Sequence, residues 1–206
     1  MEKEEVLNQS DKLIYGGMTR KELSFLYDIC SNKTVLELGS MAGRSSYVIA
    51  STAKKLWCVD VWSDTLDHLV DPIQISHYKV YQPKNIFDTF IKNCGVFIDS
   101  GKLEMCRGKT VEVANSFPDN FFDIIFIDAD HSYSGVSNDY ASYEYKLKSK
   151  GNFVFHDYEH EVLTGISKFC NEKAYRKELQ WVKRVESLAV FMKTDTYKFD
   201  GGIINE

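Results

Sequence analysis

The sequence predicts an α/β protein built on a doubly wound, mostly parallel, Rossmann-like sheet with an antiparallel strand pair at its C-terminal end. Short apolar runs alternate with amphipathic segments of ten or more residues, the pattern of parallel strands joined by crossover helices. The most apolar run, "FFDIIFI" at 121–127, has almost no polar alternation. Such a run is typical of a strand that is covered on both faces.

Composition favours one soluble domain over 1–206 and excludes several classes of protein. The chain of 206 residues is 44% hydrophobic and 27% charged, which is close to the average for globular proteins. A net charge of -5 without a cluster of basic residues argues against nucleic acid as a partner. The first residues, "MEKEEVLNQS", lack the order of a signal peptide, and no run approaches the roughly 18 apolar residues of a membrane span. We therefore expect a cytoplasmic protein with no membrane contact.

The five cysteines predict buried, reduced side chains, because they are odd in number, widely spaced and set in apolar runs. They are Cys30, Cys58, Cys94, Cys106 and Cys170.

Local signals place the elements of the N-terminal half. Thr19 followed by Glu22 predicts a capping box and a helix over 18–30, within a helical cap at 1–33. Strands are expected at 35–38 and 55–60, with a helix at 43–53 between them. The segment 61–83 has no clear period and is interpreted as an insertion or lid, followed by a helix over 84–93. Its aromatic and imidazole side chains suit either an acceptor site or the packed interior of a lid or subunit contact; they are Trp62, His68, His77, Tyr78 and Tyr81.

The C-terminal half continues the alternation. Strands are expected at "KLEMC", "FFDIIFID" and "NFVFHD". The stripe of Val136, Tyr140, Tyr143 and Leu147 predicts a helix over 134–150, with three lysines in its last turns and Gly151 as its stop. A helix over 162–175 precedes an antiparallel pair formed by "QWVKRVES" and "LAVFMKT". The tail at 194–206 carries no signal.

Polar residues follow all five predicted parallel strands, and in doubly wound sheets the ligand lies beyond these carboxyl ends. A single acid at such a position is usually a solvated cap, but five polar ends on one rim favour a binding site. The residues are Glu37 and Gly39, Asp60, Arg107 to Lys109, Asp128 and Asp130, and His156 and Asp157.

The turn after the first strand decides between ligands. A dinucleotide turn, G-x-G-x-x-G, needs glycines where this chain has Met41 and Arg44. What remains is E-x-G-x-x-x-G from Glu37 to Gly43, a tight bend without a pyrophosphate cradle. Such a bend suits a nucleoside with an amino-acid tail, and Asp60 is placed to accept hydrogen bonds from its ribose.

The motifs "VLELGSMAGRSS", "WCVDVW" and "FDIIFIDADHSYSGVSNDYASY...KGNFVFHDY", together with "YGGMT" and "LTGISKF", resemble the class I S-adenosylmethionine-dependent methyltransferases. The similarity is to the small family that includes the sugar O-methyltransferases of macrolide and aminocoumarin synthesis. It implies S-adenosylmethionine as cofactor, a small hydroxylated acceptor such as a sugar, and a homodimer.

The resemblance also implies roles for individual residues. The methionine moiety would lie on the turn, the ribose on Asp60 and the adenine beside Gly108, while 15–18 would close over the cofactor. The full set at the cofactor is Gly17, Glu37, Gly39, Ser40, Gly43, Asp60, Gly108, Lys109 and Asp128.

Methyl transfer to a hydroxyl needs alignment and a proton acceptor, and Asp130 and His131 are the local candidates for the base. In the related sugar enzymes a divalent ion binds at positions that correspond to Asp128 and Asp157. His156 stands where those relatives often carry an acid, and an imidazole favours Mn²⁺ or Zn²⁺ over Mg²⁺, or a base role. Both histidines also fit structural roles, His156 as a hydrogen-bonded strand end and His131 as support for the next helix.

Three functions remain open from the sequence. The first is an O-methyltransferase that acts on a small hydroxylated acceptor. The second is an NAD-dependent oxidoreductase, which shares the fold class but needs a pyrophosphate turn. The third is a non-catalytic nucleoside-binding protein.

Overall fold

The computed structural model describes residues 1–66, 72–81 and 85–194. Within these ranges the chain forms a seven-stranded sheet in the order β3-β2-β1-β4-β5-β7-β6. The strands are β1 Thr34–Leu38, β2 Lys55–Asp60, β3 Leu103–Arg107, β4 Phe122–Ile127, β5 Leu147–Phe155, β6 Leu179–Val185 and β7 Leu188–Lys193. β1 to β5 pair in parallel, whereas β7 runs antiparallel to both β5 and β6. This topology confirms the predicted fold class.

Helices cover both faces of the sheet. They are α1 Lys3–Leu13, α2 Arg20–Ile29, α3 Arg44–Thr52, α4 Pro72–Tyr81, α5 Ile86–Asp99, the single turn α6 Thr110–Val113, α7 Tyr133–Tyr143 and α8 Thr164–Tyr175. Buried residues of α1, α2, α3 and α5 pack on one face, and those of α7 and α8 pack on the other. β4 supplies both cores, with Phe126 on the first side and Ile125 and Ile127 on the second. Burial on both faces explains why this strand is almost wholly apolar.

The predicted N-terminal signals are confirmed. Thr19 Oγ1 accepts a hydrogen bond from the Glu22 backbone N–H at 3.2 Å, and the Glu22 carboxylate accepts one from the Thr19 N–H at 2.9 Å. This capping box starts α2, whose Leu23 and Leu26 are fully buried.

All five cysteines are free thiols, and four of them are buried.

The predicted helix over 134–150 is wrong beyond Tyr143, where α7 ends. β5 begins at Leu147 and contains Gly151, so that glycine does not stop a helix. Leu147 is fully buried in the same core as the helix stripe, which is why the apolar spacing could not separate the two conformations. Lys148 pairs with Asp123 on β4 at 2.7 Å instead of facing a helix end. A register shift between β4 and β5 accommodates these residues.

Other boundaries differ in extent. α5 runs to Asp99 rather than ending at 93, and α4 lies within the predicted insertion. The helices after β1 and before β6, the parallel strands and the closing antiparallel pair are confirmed. His68 and the tail from 195 onward lie outside the described residues.

Candidate active site

The bend after β1 requires glycine at two positions, Gly39 and Gly43. Gly39 has a φ of 86°, and a Cβ at this position would lie 2.2 Å from the backbone oxygen of Asp128. Gly43, which precedes α3, has a φ of 88°, and its Cβ would lie 2.7 Å from Cys94 Sγ. A side chain at Gly39 would therefore push the turn away from the end of β4.

Glu37 braces this turn from beneath. Its fully buried carboxylate accepts hydrogen bonds from the hydroxyls of Ser40, Ser45 and Ser46 and from the Cys58 thiol at 3.3 Å. Burial raises the pKa of Glu37, and the serine hydroxyls oppose that rise. These contacts fix the start of α3 relative to β1.

Asp60 holds the same turn from the side. One carboxylate oxygen accepts hydrogen bonds from the backbone N–H groups of Ser40 and Met41, both at 2.9 Å. The other accepts one from the Trp62 N–H at 2.7 Å. A carboxylate offers about four acceptor positions, so one position on the second oxygen is left for a ligand hydroxyl.

A cavity of about 370 Å³ lies over the turn, at the carboxyl ends of the strands. Its volume is in the range of small-molecule sites. Most of the predicted site residues line it: Gly17, Gly39, Ser40, Asp60, Gly108, Lys109, Asp128, Asp130, His131 and Asp157. Glu37, Gly43 and His156 are not among the lining residues.

The N-terminal segment and α4 share one wall of the cavity. Tyr15 packs edge-on against His77, with ring centroids 5.7 Å apart, and the Tyr81 hydroxyl donates to the Tyr15 carbonyl at 2.6 Å. Gly16, Gly17 and Met18 complete this wall. The segment 15–18 therefore lines the cavity.

Among the lining residues that the sequence does not single out as site residues, two carry a buried side-chain atom without a hydrogen-bond partner among the described residues. One is Arg44 Nε; the rest of that guanidinium bonds the Ile14 carbonyl at 2.6 Å and Asp11 at 2.7 Å. The other is Asp139 Oδ2, on a side chain whose Oδ1 accepts from the Thr110 hydroxyl. Burial raises the pKa of Asp139 to about 6. An acid between Val136 and Tyr140 on the apolar stripe of α7 is the signal that could have found it.

A cluster of acids and imidazoles lies where β4 and β5 end. Asp128 Oδ1 is 3.0 Å from His156 Nδ1 and 3.4 Å from His131 Nε2. Asp157 Oδ2 is 3.2 Å from His156 Nδ1 and 3.3 Å from His131 Nε2. Both carboxylates therefore lie between the two rings, with His131 on the cavity side.

The other ring nitrogen of His156 faces α2, with Nε2 3.8 Å from Glu22 Oε2. Burial opposes ionisation of both His156 and Asp128, but the attraction between the imidazole and the neighbouring carboxylates is stronger. It raises the pKa of His156 well above its ordinary value and lowers that of Asp128. Burial likewise opposes ionisation of Glu22, yet His156, Ser187 and Thr19 lower its pKa to about 2.

The cluster also has the geometry of a metal site. Asp128, His131 and Asp157 each offer one ligand atom, all within 4.8 Å of one another. Ligands about 2.1 Å from an ion are separated by about 3.0 Å in an octahedron and about 3.4 Å in a tetrahedron. The distances from the two carboxylates to His131 Nε2 and to His156 Nδ1 all fall in this range, so either imidazole can complete the ligand set of a divalent ion with Asp128 and Asp157.

Residues 36–158 match the family of methyltransferase domains. The chain belongs to this family. It is a class I methyltransferase, and its cofactor is S-adenosylmethionine. Of the three functions left open by the sequence, methyl transfer is therefore the one that the comparisons support. No curated protein sequence matches this methyltransferase.

Solved structures share its fold. A protein from Staphylococcus aureus named as a caffeoyl-CoA O-methyltransferase is 15% identical, with a TM-score of 0.63 over 94% of this chain and 92% of the other. An O-methyltransferase from Bacillus cereus in complex with S-adenosylhomocysteine is 16% identical, with a TM-score of 0.59 over 93% and 90%. A protein from Pyrococcus horikoshii named as an RNA methyltransferase is 16% identical, with a TM-score of 0.58 over 95% and 98%. At these identities the likeness shows the fold and leaves the acceptor open.

Among the described residues, the methyltransferase has no helix that is both long and apolar enough to cross a membrane.

Proposed function

We propose that this methyltransferase transfers the methyl group to a hydroxyl of a small acceptor, a sugar hydroxyl being one candidate. The observation that carries the proposal is that one cavity is lined both by the glycine turn and by the acid–imidazole cluster. Such a cavity can place a sulfonium beside a proton acceptor. A net charge of -5 disfavours RNA as the acceptor, because binding of phosphates needs clustered basic residues.

The residues that line the cavity support the following contacts with the cofactor. The methionine moiety lies over Gly39 and Ser40, with Gly17 across the cavity, and Asp60 accepts one ribose hydroxyl. The adenine lies toward Gly108 and Lys109. Asp128 faces the sulfonium, whose positive charge a carboxylate stabilises. Glu37 and Gly43 act indirectly, since they shape the turn from outside the cavity.

His131 is our choice for the base. Its ring lines the cavity and is oriented by Asp128 and Asp157 at 3.4 and 3.3 Å. In the reaction the acceptor oxygen attacks the methyl carbon, the carbon–sulfur bond breaks in line, and the hydroxyl proton passes to His131. Asp130 lines the cavity as well, and its carboxylate accepts from the Ser132 N–H at 2.8 Å, so it supports the start of α7 beside the reacting atoms.

A divalent ion is compatible with this arrangement. Asp128, Asp157 and His156 would hold it, and the ion would lower the pKa of an acceptor hydroxyl. This ligand set does not include His131, which stays on the cavity side as the base.

Transfer of a labelled methyl group to a panel of sugars, catechols, hydroxy-lipids and RNA tests the proposal. We expect labelling of a sugar or another small hydroxylated compound. In His131→Gln the rate should fall by about 10²- to 10⁴-fold, the usual contribution of a general base, while S-adenosylhomocysteine still binds. Labelling of RNA alone would refute the assignment of the acceptor, and a wild-type rate in His131→Gln would refute the base. Cofactor binding without transfer to any acceptor would favour a non-catalytic role.

A further inference from the structure

We propose that Glu22, on α2, is a positioning residue that fixes His156 as a metal ligand, and that the resulting site takes a first-row transition metal such as Mn²⁺ or Co²⁺ in preference to Mg²⁺. The inference rests on the proposed function for the use of that ion. Binding of the ion can be measured without any acceptor.

The donor chemistry sets the preference among metals. His156 Nδ1 lies 3.0 and 3.2 Å from one oxygen each of Asp128 and Asp157, the separations of ligands around a common ion. One imidazole nitrogen with two carboxylate oxygens suits Mn²⁺, Co²⁺ and Zn²⁺, whereas Mg²⁺ prefers oxygen ligands and retained waters. His156 therefore moves the site away from Mg²⁺.

The second ring nitrogen of His156, Nε2, faces Glu22, which can therefore fix the orientation of the ring. A metal-bound imidazole usually directs its other N–H toward a carboxylate or carbonyl, which fixes the tautomer and the ring orientation. His156 Nε2 faces Glu22 Oε2 at 3.8 Å, and the Glu22 residue is only 2% exposed. This distance exceeds that of a hydrogen bond, so the carboxylate acts on the ring mainly through its charge and its fixed position.

Glu22 is itself held from two sides. Its Oε1 accepts from the Ser187 backbone N–H at 2.9 Å and from the Ser187 hydroxyl, at the turn between β6 and β7. Its Oε2 accepts from the Thr19 N–H at 2.9 Å. A helix cap alone needs only the Thr19 contact. The buried contacts to Ser187 and His156 place the same carboxylate next to His156, on the side away from Asp128 and Asp157.

Without an ion, the same geometry has another explanation. Each nitrogen of His156 faces a carboxylate, as in an imidazolium that neutralises the acids directly. In that case His156 takes the place of the metal ion. The two explanations differ in whether the full-length protein binds a transition metal.

Metal titration of the chelator-treated full-length protein distinguishes them. Co²⁺ should produce d–d absorption bands of a nitrogen-containing site, and calorimetry should show Mn²⁺ binding at least ten-fold more tightly than Mg²⁺. Glu22→Gln should weaken Mn²⁺ binding by about 10- to 100-fold, the usual effect of removing an outer partner of a ligand. Thr19→Ala is the matched control, because it weakens the cap of α2 and keeps the Glu22 carboxylate. If Glu22→Gln fails to fold, His156→Gln provides the second variant and should lose the bands.

Three results would overturn the inference: no Co²⁺ bands at saturation, Mg²⁺ binding as tightly as Mn²⁺, or equal Mn²⁺ affinities in Glu22→Gln and Thr19→Ala. Binding of S-adenosylhomocysteine in the presence of chelator, measured in parallel, separates this inference from the proposed function. If the protein transfers methyl groups but does not bind the metal, only the metal site is refuted. Metal binding without any methyl transfer refutes only the function.

Discussion

Asp60 is expected to support the fold of the turn and to bind the cofactor, and two substitutions can separate these contributions. Asp60→Ala leaves three backbone N–H groups, those of Ser40, Met41 and Trp62, without their acceptor. An unpaired buried donor costs about 1–3 kcal/mol, and water from the cavity can reach part of this turn. We therefore expect a loss of roughly 3–6 kcal/mol in the free energy of unfolding.

Asp60→Asn should be milder. The amide oxygen can keep the two contacts to Ser40 and Met41, while the amide nitrogen faces the Trp62 N–H and cannot accept from it. The expected loss is about 1–3 kcal/mol from this one unpaired donor. Asp64→Asn is the matched control, because the side chain of Asp64 is 70% exposed and lies 3.8 Å from Arg107.

Urea unfolding and calorimetry with S-adenosylhomocysteine give the two readouts. Both the unfolding midpoint and the affinity should decrease in the order Asp64→Asn, Asp60→Asn, Asp60→Ala, with Asp64→Asn close to wild type. The reasoning fails if Asp60→Ala unfolds within about 1 kcal/mol of wild type, the size of a single ordinary hydrogen bond. It also fails if Asp60→Ala retains wild-type affinity for the ligand.

Three further substitutions test the surroundings of the cavity. Gly39→Ala should abolish S-adenosylhomocysteine binding in calorimetry, because its Cβ would lie 2.2 Å from the Asp128 carbonyl oxygen; binding near wild type would contradict this packing. Glu37→Ala should lower the unfolding midpoint, because it leaves three buried serine hydroxyls without their acceptor, and an unchanged midpoint would refute the bracing role. Burial raises the pKa of Asp139 from an ordinary 3.8 to about 6. Between these two pH values the folded protein binds more protons than the unfolded chain. The free energy of unfolding therefore falls as the pH rises from about 4 to 6, by on the order of 3 kcal/mol. Asp139→Asn should remove this fall and be more stable than wild type at pH 8; equal pH profiles of unfolding would count against a buried, raised carboxyl.

The glycine turn and the polar strand ends could be predicted because local patterns determine them. Gly39 and Asp60 both lie at strand ends, and in a parallel sheet these ends share one edge. The cavity forms there, with most of the expected residues on its walls. The capping box can be predicted for the same reason, since Thr19 and Glu22 are three residues apart.

What the sequence could not predict depends on contacts between distant segments. The buried spacing of Val136, Tyr140, Tyr143 and Leu147 fits a continued helix as well as a turn into β5, and only pairing with β4 decides between them. The second carboxylate oxygen of Glu22 meets Ser187, more than 160 residues away, at the turn between β6 and β7. Local patterns describe that residue as a helix cap and contain no information about its position behind His156.

The central claim is that S-adenosylmethionine binds over the turn at residues 39–43, and a crystal structure of the protein with S-adenosylhomocysteine tests it most directly. We predict density for the amino-acid tail over Gly39 and Ser40, the ribose beside Asp60, and the adenine toward Gly108. The sulfur should face the side of the cavity that holds Asp128 and His131. Density for the compound at another place on the protein, with this cavity filled by solvent alone, would contradict the account.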